Sequence, residues 1–299
     1  MRTYLKEIVI SLLAVFIMIV AIVTYIKSMQ AEKATVETNI YTLVPSDVNG
    51  MLMVNRPGIF SRMILAKKLY SDMFSADIPP IFLSMIEDDL PFRSVVFSSH
   101  PDGVVCYIQD GAQISGEIDK YIRQNLSGNY DPIRQEEGGV NFFYFPDATN
   151  RFFGCYTYNG IWVGSYSKRL LEKTADQQLN GSMLLPSEMT RLIESFDVNA
   201  PLNIIFPADD LNLYVSRGTL PEWRIRYKWL GADLFLSEGN FCCYGSLPFQ
   251  SYLNNRLYKA MGDTLSHRIK EMYPFINLTF QVDVEEEFVY YTGCTPLPQ

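Results

Sequence analysis

Two histidines, four acidic clusters and five cysteines are where this 299-residue chain holds side chains able to do chemistry. His100 stands before Pro101 in a turn sequence, and His267 lies beside Arg268 in a polar stretch. An acid–base imidazole must sit within hydrogen-bond reach of its partner, a demand that a lone histidine in a turn or a polar stretch is not expected to meet. Both therefore read as surface residues. The sequence has no Gly-x-Ser-x-Gly elbow, no glycine-rich phosphate loop, no His-Glu-x-x-His and no calcium loop. The carboxylates cluster at Glu87-Asp88-Asp89, Glu136-Glu137, Asp209-Asp210 and Glu285-Glu286-Glu287, all at expected turns or element ends. A glycosidase would need two of them about 5–10 Å apart across a cleft. No catalytic, cofactor-binding or metal-binding residue is assigned on these patterns, and no cofactor is expected.

The cysteines are Cys106, Cys155, Cys242, Cys243 and Cys294. No Cys-x-x-Cys spacing occurs, which removes thioredoxin-like and zinc-knuckle chemistry. Cys242 and Cys243 are adjacent in an expected strand, so their side chains point to opposite faces. The set reads as small buried hydrophobes, with one disulfide of undetermined pairing compatible with the count.

The aromatic strands are the denser signal. Phe142-Phe143-Tyr144-Phe145 and the run from Phe152 to Tyr158 put rings on both faces of neighbouring strands. One reading is a sheet covered on both sides. The sharper one is an exposed ridge of Tyr156, Tyr158 and Trp162 beside the Asn159-Gly160 turn, offered to an envelope protein or a glycan.

Something must position these residues, and composition bounds what it is. Hydrophobic residues make up 48% of the chain and aromatics 14%, too much for a disordered protein. A net charge of −8 gives no basic excess to displace phosphate counterions, so nucleic acid is not an expected partner. Residues 8–26 are uncharged and apolar. Their side chains favour membrane insertion by about 4–8 kcal/mol, and as a helix they would span roughly 28 Å. The expectation is an uncleaved single-pass signal anchor, a transmembrane helix in the inner membrane, with residues 1–7 in the cytoplasm and everything after Lys27 exported to the periplasm. Cleavage after Ala31 is the alternative.

Residues 27–42 read as a connector, 43–182 as a first α+β half and 183–299 as a second. Strands are expected at Gly50–Val54, Ser94–Ser99, Val104–Ile108, Tyr130–Gln135, Val140–Phe145, Phe152–Tyr158 and Ile161–Ser165. Asn159-Gly160 joins the last two through a type I′ turn, whose central residues need positive φ. Helices are expected from Pro57 through Met73, over Ile81–Met85, after Asp110-Gly111 and from Lys168. The second half restarts with a helix near Ser187–Ser195. It continues with a strand at Leu202–Phe206, a short helix over Asp209–Val215 and strand over Arg224–Leu236 and Asn240–Ser246. A helix face at Leu253, Leu257, Ala260 and Met261 precedes a closing hairpin. Asp47-Val48-Asn49 and Asp197-Val198-Asn199 open the two halves, and Val105-Cys106-Tyr107 and Cys242-Cys243-Tyr244 recur at matching places. The repeated order suggests an internal duplication.

Three phrases carry a family resemblance: Leu43-Val44-Pro45-Ser46-Asp47 running into a strand, Gly160-Ile161-Trp162-Val163-Gly164-Ser165-Tyr166-Ser167 running into a Leu170-Leu171 helix, and Trp229-Leu230-Gly231-Ala232-Asp233-Leu234. In these the chain resembles an uncharacterised bacterial family of membrane-anchored extracytoplasmic proteins, a domain of unknown function. The resemblance implies an envelope location and an α+β fold, and supplies no catalytic residues. The expected function is a non-enzymatic interaction or ligand-sensing module. The alternative is an anchored hydrolase acting on envelope polymers.

Overall fold

The computed structural model describes residues 13, 15–27, 39–63, 77–88, 90–109, 112–128, 130–180, 185–207, 212–215, 223–226, 228–237, 240–248, 281–285 and 288–296. His267, Asp209-Asp210, the expected helix around Leu253–Met261 and most of the connector lie outside them.

Short runs rich in apolar and aromatic residues, broken by turns, build a sheet rather than a bundle. Its strands are β1 (Gly50–Val54), β2 (Val95–His100), β3 (Gly103–Gln109), β4 (Ile133–Glu137), β5 (Val140–Pro146), β6 (Phe152–Tyr158) and β7 (Ile161–Ser165). They continue with β8 (Leu202–Pro207), β9 (Asn212–Val215), β10 (Trp223–Arg226), β11 (Trp229–Ser237), β12 (Asn240–Pro248), β13 (Gln281–Glu285) and β14 (Phe288–Pro296). Twelve of these form one sheet in the order β13-β14-β12-β11-β8-β1-β2-β3-β7-β6-β5-β4, and β9 and β10 form a separate ribbon. Neighbours pair antiparallel throughout. Asn159 and Gly160 take φ of 46° and 78°, as the type I′ turn between β6 and β7 requires.

The helices are α1 (Pro57–Met63), α2 (Pro80–Glu87), α3 (Ala112–Asn125), α4 (Lys168–Asn180) and α5 (Ser187–Ser195), with a 3-10 turn at Ile40–Leu43. Phe60, Phe82, Ile118 and Ile122 from the first three cover one face of the sheet. Beneath them lie Phe97, Cys106, Phe153, Trp162 and Leu234, together with Leu202, Ile204 and Phe206 of β8. The 3-10 turn, α4 and α5 cover the other face, where Leu170, Leu171, Met189 and Leu192 pack on Met51, Tyr107, Phe142, Tyr156, Val163 and Trp229. The result is three layers around one antiparallel sheet, an α+β fold in which the first face's core runs through both halves of the chain.

Outward from the antiparallel β1–β8 pair, the order is β2-β3-β7-β6 on one side and β11-β12-β14-β13 on the other. Each half lays down a strand, then a hairpin, then the last strand of its closing hairpin. The first half adds β5 and β4 beyond this order, and the second sets β9 and β10 apart in a ribbon. Cys106 and Cys243 occupy matching strands on the same face, both buried.

Two expectations are corrected. Among the described residues no helix is long and apolar enough to cross a membrane, so the transmembrane helix expected at 8–26 is not part of this fold. Residues Asn212–Val215 are strand rather than helix, because Trp223–Arg226 supplies an antiparallel partner for their backbone. The pairing that the cysteine count left open is Cys242 with Cys294, directly opposed across β12 and β14, while Cys106, Cys155 and Cys243 are buried free thiols.

Candidate functional site

The structure gathers polar side chains at two places. The first is a buried chain beneath α4. Ser98 and His100 are two apart in β2 and so share a face. His100 Nε2 lies 2.8 Å from Ser98 Oγ, and His100 Nδ1 lies 3.1 Å from Asp47 Oδ1. Asp47 Oδ2 accepts from Lys173 Nζ of α4 at 2.6 Å. Burial holds the His100 imidazole below its ordinary pKa despite Asp47, so it is neutral at pH 7. The network then assigns the protons: Nδ1–H donates to Asp47, Ser98 O–H donates to Nε2, and Tyr107 O–H donates to Ser98 Oγ at 3.2 Å. Partial burial pushes the Asp47 carboxyl up, but Lys173 and His100 together outweigh it and leave the group below its usual range.

This Ser–His–Asp order has the hydrogen bonding of a hydrolytic triad. Ser98, however, has 0% exposure and lies under α4 with Tyr107 against it, so no substrate carbonyl reaches its oxygen in this structure. The arrangement satisfies buried polar groups and ties residue 47 to β2 and α4. His100 is 5% exposed, which corrects the surface position expected for it.

The second place is a groove of about 450 Å³ near the β4 edge of the sheet. Ile133, Tyr144, Phe152 and Tyr166 give it apolar walls, and Arg151 and Lys168 flank them. Arg151 stacks over the Tyr166 ring at 4.6 Å, and Lys168 Nζ stands 5.8 Å from the Tyr144 ring centre. Each cation has an acidic neighbour: Asp147 at 3.6 Å for Arg151 and Glu172 at 3.3 Å for Lys168. Lys168 also donates to Gln135 Oε1 at 3.1 Å. Tyr144 is 7% exposed, and its buried hydroxyl has no hydrogen-bond partner among the described residues. Burial, with Glu172 and Glu137 nearby, pushes its pKa up to about 12, so it remains a donor at neutral pH. Gly154 makes room for this wall: a Cβ there would lie 2.8 Å from the Tyr144 ring and 2.5 Å from Leu171.

The ridge expected from sequence is not a surface. Tyr156 and Trp162 are buried on opposite faces, Tyr156 donating to Thr174 Oγ1 at 3.0 Å and Trp162 packed against Phe82 and Phe153. Tyr158 is half-buried against the α4 side of the sheet. Helices arriving from elsewhere in the chain cover both faces, which the strand sequences do not encode. Of the groove residues, Tyr144, Phe152 and Tyr166 lie in the aromatic phrases of the sequence. Ile133, Arg151 and Lys168 carry no sequence signal. For the buried chain, the i, i+2 spacing of Ser98 and His100 was the one available clue.

Fold and groove together define a three-layer antiparallel sheet protein with an aromatic, cation-flanked recess. No family model matches the chain, and no curated protein matches it. Among solved structures it is similar to TP0453. Crystal form I shares 10% identity at a TM-score of 0.46, covering 87% of this chain and 94% of that one. Crystal form III shares 11% at 0.47, covering 88% and 96%. A likeness at that level says nothing about what either protein binds.

Proposed function

We propose that this protein is a non-enzymatic interaction or ligand-sensing module working outside the cytoplasm in association with an envelope membrane. The observation that carries the binding reading is the groove, whose size falls in the range of about 300–1,000 Å³ usual for ligand sites. It combines apolar walls with a few polar groups, and no carboxylate is among its lining residues. The membrane association rests on residues 15–27, whose apolar side chains from Val15 to Ile26 are exposed, a larger uncovered surface than a water-soluble monomer usually carries.

The hydrolase reading has the Ser98–His100–Asp47 chain in its favour and the burial of Ser98 against it. The test is a photocrosslinking residue placed at position 152, with a control at the exposed Val198. A reporter active only outside the cytoplasm is fused after Gln299 in the same strain. The reading expects an active reporter in the membrane fraction and an adduct at 152 that is absent at 198. An inactive reporter refutes the location, and identical adducts at both positions refute the groove.

A further inference from the structure

We propose that a disulfide-donating thiol oxidoreductase of an oxidising compartment acts on this protein at Cys294, and that the folded sheet, not the order of synthesis, selects Cys242 as its partner. This deepens the extracytoplasmic reading and rests on it, since such bonds form and persist outside the reducing cytosol. The thiols stand along the chain in the order Cys106, Cys155, Cys242, Cys243 and Cys294. Joining each to the next as it emerges gives Cys106 with Cys155 and Cys242 with Cys243. The bond in the structure is neither: it skips Cys243 and joins Cys242 to Cys294, 52 residues away.

The fold excludes each competitor. Cys106 of β3 and Cys155 of β6 both stand opposite Gly164 of the intervening β7, on one face of the sheet. Two strand spacings of about 4.8 Å place their Cα atoms roughly 10 Å apart, beyond the ~7 Å a disulfide spans. The Trp162 ring fills the space a Cβ at Gly164 would take on that face. Cys243 adjoins Cys242 but points to the opposite face, where it is buried. Burial pushes the Cys106 and Cys155 thiols well up and that of Cys243 up to about 12, which keeps all three protonated and unreactive. Cys294 is exposed, and Cys242 is buried directly across from it. The accessible sulfur therefore meets the donor first. The Cys294 thiolate attacks one sulfur of the donor disulfide, forming a mixed disulfide and releasing one donor thiolate. Cys242, on losing its proton, attacks Cys294 Sγ and releases the second. The two cysteine protons pass to water and two electrons pass to the donor, which ends as a dithiol.

The experiment oxidises the full chain, purified reduced, with glutathione disulfide, once in buffer and once in guanidinium. Bonds are mapped by mass spectrometry of alkylated peptides. In buffer, the Cys242–Cys294 bond is expected to exceed every other pair by at least about tenfold, an excess that guanidinium removes. Cys242→Ser should trap the glutathione adduct on Cys294, at least about tenfold over Cys106, Cys155 and Cys243. Mixed pairs in buffer, Cys106 with Cys155 among them, overturn selection by the fold. So does a reduced chain with no thermal unfolding transition, because the sheet then does not precede the bond. An adduct on another cysteine in Cys242→Ser overturns the assignment of Cys294. In cells, a maleimide mass tag counts the free thiols of the denatured chain, read beside the reporter fused after Gln299. Tags on three of the five cysteines with an active reporter are expected. Tags on all five with an active reporter overturn the oxidation. Tags on all five with an inactive reporter refute the extracytoplasmic reading, and the oxidising partner with it.

Discussion

Truncating Tyr156 is expected to damage folding, not recognition. The ring has 0% exposure and packs edge-on against Phe142, with centroids 5.3 Å apart. Its hydroxyl donates to Thr174 Oγ1, and Thr174 passes its own proton to Leu171 O at 2.7 Å. Tyr156→Phe therefore leaves no orphaned donor on Thr174 and removes one hydrogen bond, a cost of about 1 kcal/mol. Tyr156→Ala removes the ring as well and opens a cavity under α4, costing about 3–5 kcal/mol. At about 2–4 °C per kcal/mol, the midpoint should fall by roughly 2–4 °C for Phe and 6–20 °C for Ala. Thermal and urea melts of the purified protein measure both. A fall of less than about 2 °C for Tyr156→Ala would mean that the ring is not core, and the layer of α4 over β6 would be wrong.

Phe152→Ala should change stability by no more than about 0.5–1 kcal/mol in the same melts, because half the ring is already in water. Gly164→Ala should cost at least about 1–3 kcal/mol, since its Cβ would run into the Trp162 ring; Gly116→Ala, in α3 with nothing within 4 Å, should stabilise by about 0.5–1 kcal/mol. His100 has a folded pKa below the ordinary 6.5, so the unfolded chain takes the proton first. Its contribution is full above about pH 6.5 and is lost as pH falls below that, whereas that of Asp47, depressed below 3.8, is lost only at lower pH. Urea melts between about pH 4.5 and 8 should show a fall that His100→Asn flattens, and an unchanged slope in that variant would refute the role given to the buried imidazole.

Much of the strand pattern was legible because it is local. Gly50–Val54 is read as a short apolar run, and Phe152–Tyr158 and Ile161–Ser165 from the Asn159-Gly160 turn between them, and they form β1, β6 and β7 over those same residues. Adjacency alone put Cys242 and Cys243 on opposite faces, and the pairing of Cys242 with Cys294 needed the register of β12 on β14. The N-terminal run shows the limit of hydropathy. Its composition fits a bilayer, while no helix among the described residues is long and apolar enough to cross one.

Alternation of side chains along each strand follows from the order of residues alone, and it puts Tyr156 and Tyr158 on one face with Phe153 and Cys155 on the other. Whether a face meets water is decided elsewhere. Phe82 of α2 closes one side over Phe153 and Trp162, and Leu171 of α4 closes the other beside Tyr156. Asp47, Ser98, His100 and Lys173 meet only because β1, β2 and α4 converge, and the groove exists only where β4, β5 and β6 meet the start of α4. Period along a strand depends on neighbours two residues away, whereas burial depends on segments tens of residues distant that come together only on folding.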